Sequence, residues 1–506
     1  MRFKVLIVFL LCTTLALPIF AGSQTEAKTA AKPQDTLTIG INGQPVHLLP
    51  YLAFGRLNEI LNTMIFDSLV IHNDKGELIG GLAESYKALN DSTWEFKLKP
   101  GIKFSNGDPL TAEDVKFTFD RILDESTKSP FRTFLFTIKE TRAIDSSTVH
   151  FITTNTDVLL PMRLSELFGC VISKKYYEKA GSDEYDRKPV GTGPYMLKEW
   201  VKDSYITYEA NPHYWGPKPG YKTIVLKFIP DDATRIAALQ AREVNLISNV
   251  PPAQVNTLKT NQSINLLSAP GVRGHYLITD VTKKPFSDLR VRQAVSLAID
   301  RDAIIKAIMF GNGVPIYSLF IPQTFGYVDR KPEYNPEKAK ALLREAGYPN
   351  GFEVEFDSFT GGITDHSKIA EVVAGMLDEV GIKAKLHIEE QGVFGPRRLS
   401  NKTAPLYNYS FGDAMFDHGP NLSTFVSGAQ GYYFKDDALN AKITKAMSEF
   451  DNAKRKVLYN EILNSLYDQQ AMIGLFRQDQ IWASDNSVNY TPQSDEMYRF
   501  WLAVPK

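Results

Sequence analysis

Eight histidines, two cysteines and a spread of carboxylates are the side chains of this 506-residue chain that could hold a metal or move a proton. The histidines stand at His47, His72, His150, His213, His275, His366, His387 and His418, and no two have the HxxxH spacing that lets one helix face hold zinc. No GxSxG elbow, HExxH helix or phosphate loop occurs. Asp231-Asp232 and Glu389-Glu390 are adjacent acid pairs, which as a rule sit on solvated faces or helix caps rather than acting as acid and base. Cys170 lies between Leu167-Phe168-Gly169 and Val171-Ile172, the setting of a buried apolar thiol with no activating base. These patterns point away from catalysis and from a resident metal. A secreted hydrolase is a remote reading, and no cofactor is expected.

The elements that must position any binding group are clearer. Between Gly81 and Lys116, Trp94, Phe96 and Leu98 alternate with Glu95, Lys97 and Lys99, the period of a strand with one buried face. Pro100-Gly101 ends it, Asn106-Gly107-Asp108-Pro109 turns the chain, and Thr111 with Asp114 forms a capping box for a helix that buries Val115, Phe117 or Phe119, and Ile122. A first strand is predicted at Thr36–Gly40 and a helix from Leu57 to Leu69. Strands follow around Trp200, at Tyr205–Tyr208 and at Thr223–Phe228. From about Thr279 the pattern becomes αβ alternation: a helix over Leu289–Ile299, a helix opened by Asn335-Pro336 and stopped by Gly347, strand Phe352–Phe356, helix Lys368–Val380, and strand Lys383–Ile388. Two further helices, Asp436–Phe450 and Asn452–Gln470, precede strand-like Ile473–Phe476.

A chain of this length exceeds one core, so two or three lobes are expected. Arg2 and Lys4, the apolar run Val5–Phe20 and Ala21-Gly22-Ser23 read as a cleavable signal peptide over residues 1–21, followed by a spacer over 22–34. Cleavage removes two basic residues and no acid, moving the formal charge from −1 to −3, which argues against a nucleic-acid partner. Leu11, bulky where a lipoprotein site wants a small residue, argues against a lipid on Cys12. Cys170 is then the only cysteine of the mature chain, with no internal disulfide to make.

The segment 81–116 resembles the signature region of the bacterial extracellular solute-binding proteins of the peptide and nickel class (family 5), the capture subunits of ABC importers. Three more blocks carry the resemblance in order: Pro189–Tyr195, Asn211 to Pro219 with Tyr214-Trp215, and Leu289–Val295 running to Ile299-Asp300-Arg301. It implies an α/β, periplasmic-binding-protein-like clamshell of two lobes with an extra subdomain inserted in the first. Mapped here, the first lobe would be 35–278 plus 475–506, with the insert at about 61–190, and the second 279–474. Hinges would fall near Tyr276–Asp280 and Gly474–Arg477. It also implies a monomeric periplasmic protein that delivers peptides to ABC permease subunits at the inner membrane. A nickel or metal-chelate binder, or a binder of another amine-bearing solute, is the alternative.

In that family an aspartate that follows a Trp-Ser/Thr-x stretch in the second lobe holds a peptide's α-ammonium, and the matching position is Asp413, within Tyr409-Ser410-Phe411-Gly412-Asp413. A buried carboxylate is costly unless paired, and an ammonium pairs it with charge-assisted hydrogen bonds. The usual tryptophan is missing here, with Tyr409 and Phe411 in its region. Dipeptide-specific members also carry an arginine after the strand equivalent to Phe352–Phe356. Here Asp357 to His366 contains none, which favours a longer peptide or another amine. Candidate strand edges for the peptide backbone are Gly191–Tyr195, with Gly193 and Tyr195, and the loop around Gly274-His275-Tyr276. Tyr51, Phe54 and Trp215 are candidate pocket walls. His418, five residues beyond Asp413, is expected in a solvent-exposed loop.

Overall fold

A computed structural model describes residues 35–506 apart from residues 54, 74, 332, 362–365, 414, 423–424, 427–433, 435 and 471, and the side chains of residues 166 and 167. The expected signal peptide and spacer, Phe54, Gly362 and Asp365 therefore lie outside the described residues.

Two long antiparallel strands, Ile264–Thr279 and Met472–Asp485, form the spine. On one side the sheet continues through Leu246–Ile247, Thr36–Ile41, Thr223–Phe228, Tyr205–Ala210 and Tyr195–Val201. On the other it continues through Leu406–Gly412, Phe352–Thr360 and Ile382–Glu390, with Gly313–Pro315 added to Met472–Asp485. The spine changes partners midway. Ile264–Pro270 pairs with Asp479–Asp485, the register then breaks between Pro270 and Gly274, and pairing resumes against residues up to Arg477. The residues there explain the break. Pro270 has no N–H for the ladder, and a β-carbon on Gly271 would lie 2.4 Å from the Gln478 carbonyl oxygen, so only glycine lets the strands approach so closely. Beyond the break the apolar side chains enter other cores: Val272, Tyr276 and Ile278 pack in one second-lobe cluster, Leu277, Ile473 and Phe476 in another. Trp482 belongs to the first-lobe core with Leu37, Ile39 and Phe500. Two lobes thus share one interrupted sheet.

The signature segment folds as read. Strand Thr93–Leu98 buries Trp94, Phe96 and Leu98, and sits in a four-stranded antiparallel sheet with Ala83–Asn90, Thr148–Thr153 and Ile138–Ala143. Helix Ala112–Leu123 opens on the Thr111–Asp114 capping box and buries Val115, Phe119 and Ile122, while Phe117 packs edge-on to Tyr177 at a centroid distance of 5.2 Å. In the second lobe, Asp288 caps Leu289–Ala298, Asn335 caps Pro336–Glu345, and helix His366–Asp378 joins the parallel strands Phe352–Thr360 and Ile382–Glu390. Cys170 is buried, as expected, with its sulfur 3.5 Å from the Ser68 hydroxyl.

The helix expected over Leu57–Leu69 stops early, spanning only Arg56–Asn62. Its would-be continuation turns, and the carbonyls of Met64 and Ile65 accept hydrogen bonds from Tyr195 and Gly193 at 2.9 and 2.8 Å. A tertiary contact has overridden the apolar spacing.

Candidate ligand-binding cleft

Asp413 follows directly on strand Leu406–Gly412. Its backbone N–H donates to the Val272 carbonyl at 2.9 Å, and its own carbonyl accepts from the Phe416 N–H at 3.0 Å. The residue borders a depression of about 200 Å³ lined also by Arg56, Glu59, Phe168, Val272, Arg273, Met415, Asn421 and Glu496. Thr324 donates its hydroxyl to Oδ2 of Asp413, and Asn421 lies 3.4 Å from Oδ1. Burial pushes the carboxyl up to about 8; the Thr324 hydroxyl opposes that rise and neighbouring Asp417 adds to it. A cation set against Asp413 would reverse the effect, because the charged form lacks only a counter-charge.

Asp417 cannot be displaced to supply or remove that charge. It is buried with Arg455 at 3.0 Å, and accepts hydrogen bonds from the Tyr459 hydroxyl at 2.6 Å and the Gly419 N–H at 2.9 Å. This anchoring also corrects the expectation for His418. Instead of standing in solvent, His418 is fully buried between Phe320 and Tyr459, at centroid distances of 4.9 and 5.7 Å. Its Nδ1 lies 4.0 Å from Asp413, but burial lowers its pKa to about 3, so it is a neutral wall and not a counter-ion.

A larger cavity of about 720 Å³ adjoins the depression, and Arg56, Arg273 and Glu496 line both. Its walls come from Asn42 and Asn249–Ala253 of the first lobe and from Ala307–Phe310 and Lys368 of the second, with Gln478–Ile481 of the spine between. Arg273 meets Glu496 across the join at 3.4 Å. Arg56 pairs with Glu59 at 3.1 Å and donates to the Asp495 carbonyl.

Of the described residues proposed from sequence as ligand-binding, Asp413 is the one that lines this system, and Asp232 of the adjacent acid pair borders the larger cavity. Tyr409 and Phe411 are half-buried on the same strand, but their rings belong to a second-lobe aromatic cluster. Tyr409 lies under the Arg398 guanidinium at 4.3 Å and beside Phe394, and Phe411 leans on Tyr276 at 5.8 Å. Gly193 and Tyr195 are corrected outright. Their N–H groups are used on residues 64 and 65, a β-carbon on Gly193 would stand 2.5 Å from the Ile65 carbonyl carbon, and the buried Tyr195 hydroxyl donates to the Tyr221 carbonyl at 2.9 Å. His275 is not in a loop. It pairs inside the spine, stacks on Phe476 at 4.5 Å, and lies 3.3 Å from Gln478, which reaches the larger cavity, so its contact with the site is indirect. Tyr51 and Trp215 are likewise inside the first lobe, bonded to Tyr177 and Asp67. The cleft residues not foreseen, Arg56, Arg273, Lys368 and Glu496, come from four separate segments whose local patterns read as ordinary surface charge.

Among the described residues no group of three or more His, Cys, Asp or Glu could hold a metal ion, and no helix is long and apolar enough to cross a membrane.

The family model described as bacterial extracellular solute-binding proteins, family 5, middle region, matches residues 77–433. The dipeptide-binding protein of Escherichia coli K12 is 35% identical over 347 residues, covering 63% of this chain and 64% of that relative, just under two thirds of its length. The glutathione-binding protein GsiB of the same organism is 31% identical over 382 residues, covering 75% and 73%. The periplasmic binding protein DppA of Helicobacter pylori, solved in complex with peptide STSA, superposes with a TM-score of 0.77 at 26% identity, over 93% of this chain and 98% of that one. With its two lobes, shared sheet and interlobe cleft, the chain belongs to the bacterial extracellular solute-binding proteins of family 5.

Proposed function

We propose that this protein is the capture subunit of an ABC importer for short peptides, holding the ligand's free amine on Asp413. The observation that carries this reading is a buried carboxylate that borders an interlobe cavity and whose hydrogen-bond partners among the described residues, Thr324 and Asn421, are neutral. Such a group is destabilising in its charged form until a cation reaches it. The dipeptide- and glutathione-binding relatives and the peptide-bound structural neighbour support a peptide, or a peptide-like amine, as the solute.

Lobe closure is the mechanism this reading requires, because a ligand favours the closed form only through contacts with both lobes. In our reading the lobes meet at the register break between Pro270 and Gly274, opposite Gln478. The first lobe then runs from residue 35 to about 271 and from about 478 to 506. That is a few residues short of the expected boundary at 278 and beyond that at 475. Closure brings the first-lobe hairpin against the second-lobe turn, as in the packing of His72 on Phe416 at 5.3 Å, and the inserted sheet against the second lobe, as in Trp94 on Phe450 at 5.8 Å. Export by residues 1–21, a periplasmic location, a monomeric state and delivery to permease subunits complete the proposal.

Native mass spectrometry of gently purified protein tests it. A peptide or amine-bearing solute released intact is the expected result, and a retained metal chelate or sugar would overturn it.

A further inference from the structure

The join between the two cavities carries an arrangement that a simple amine does not use. Arg273 and Gly412 face each other in the pairing of Ile264–Thr279 with Leu406–Gly412. The Arg273 guanidinium reaches over Gly412, its Nη2 3.7 Å from where a β-carbon there would stand. Asp413 is the next residue, and its N–H is bonded to the carbonyl of Val272. A guanidinium and a carboxyl thus rise from neighbouring backbone positions and line one depression of about 200 Å³.

Neither group is spent on the other. The ion pair of Arg273 runs to Glu496 and not to Asp413, and at 3.4 Å it is longer than the ~2.7–2.9 Å of a tight charge-assisted bond. The buried Nε of Arg273 finds no hydrogen-bond partner among the described residues. A guanidinium normally presents its donors as a fork to a carboxylate, and here a ligand carboxylate would compete with the long contact from Nη2 to Glu496.

We propose that this depression receives an α-amino-acid head group, its ammonium on Asp413 and the carboxylate of the same carbon on Arg273. The inference rests on the reading of Asp413 as the amine site. It narrows the solute class to peptides or conjugates joined through a side chain, such as γ-glutamyl compounds, whose first residue keeps both charges. In an ordinary α-linked peptide that carboxylate has become a neutral amide carbonyl, which forms weaker bonds to a guanidinium. The rest of the ligand extends past Arg56 and Glu496 into the cavity of about 720 Å³. The lack of arginine between Asp357 and His366 fits, since the carboxylate partner comes from the spine instead.

Isothermal titration with two isomers, γ-Glu-Ala-Gly and α-Glu-Ala-Gly, tests the assignment on the wild-type protein. The γ isomer is expected to bind about 10–100-fold tighter, the gain of hydrogen bonds to a charged group. Arg273→Gln, checked for an unchanged thermal transition, should bring the γ isomer down to the affinity of the α isomer and leave the α isomer within about threefold. Equal binding of the isomers, tighter binding of the α isomer or no binding of either overturns the proposal. So does an equal loss for both in Arg273→Gln, which would assign the guanidinium to the C-terminal carboxylate. Acetylating the amine of each peptide reads Asp413 separately: no loss there would remove the amine reading itself, whatever the isomers show.

Discussion

Capture of a peptide amine should weaken about tenfold for each pH unit below 8, with one proton released per ligand bound. The reason is the carboxyl of Asp413, pushed up to about 8 chiefly by burial. The groups facing it do not rescue its charge: Thr324 and Asn421 are neutral donors, His418 stays neutral down to about pH 3, and Asp417 is committed to Arg455. At pH 6 Asp413 is mostly protonated, and each unit of displacement costs about 1.36 kcal/mol, so binding an ammonium must meet about 3 kcal/mol of deprotonation. A peptide's own α-amino group titrates near 7.7–8.0, so above pH 8 the ligand must instead gain a proton. Affinity should therefore peak near pH 8 and fall on both sides. Calorimetry in buffers of different ionisation enthalpy reads the proton count directly: release at pH 6, uptake at pH 9. A flat affinity between pH 5.5 and 7.5 with no proton exchanged would refute the buried-carboxylate anchor.

Asp413→Asn should weaken binding of a free-amine peptide by about 2–5 kcal/mol, the cost of truncating a buried charge pair, and titration calorimetry checks it. The same variant probes stability. The folded pKa of about 8 lies above the ordinary carboxylate value, so wild type loses stability as pH rises from that ordinary value to the folded one. Denaturant melts should show the Asp413→Asn variant gaining on wild type by at least about 1–3 kcal/mol from pH 4 to 8, and no further above it. Arg455→Met should lower folding stability by about 3–5 kcal/mol, because it leaves Asp417 buried without its counter-charge. Gly193→Ala should also destabilise, by roughly 1–3 kcal/mol from overpacking against residue 65, while the folded fraction binds ligand with unchanged affinity. Finally, ligand should shrink the radius of gyration in solution scattering; superimposable curves with and without a tightly bound peptide would rule out hinge closure.

Local chemistry made much of this fold legible. The alternation of Trp94, Phe96 and Leu98 became a half-buried strand, and Thr111 with Asp114 became a capping box, because both depend on neighbours within a few residues. Asn335-Pro336 opened its helix for the same reason. Ordered blocks of such signals sufficed to indicate the family and the two-lobe class. Asp413 was reachable through that resemblance, since its place in the matching stretch Tyr409–Asp413 is a matter of sequence order.

The remainder depended on distant contacts. Gly274–Tyr276 looked like a loop because its glycine and polar residues give no alternation, yet two flanking strands from far along the chain hold it extended inside a sheet. Gly191–Tyr195 looked like a free edge until residues 64 and 65 used its donors. His418 was expected in a solvent-exposed loop, but the Arg455–Asp417–Tyr459 contacts draw it into the core. The sequence by itself determined most of the segments that become strands, helices and caps, because those follow from short-range pattern, and its ordered blocks pointed to a two-lobed solute binder through their resemblance to the family. Only the tertiary structure decided that Arg56, Arg273 and Glu496 line one depression with Asp413 and that Lys368 borders the adjoining cavity, because side chains from separate segments are brought together by folding and not by sequence order.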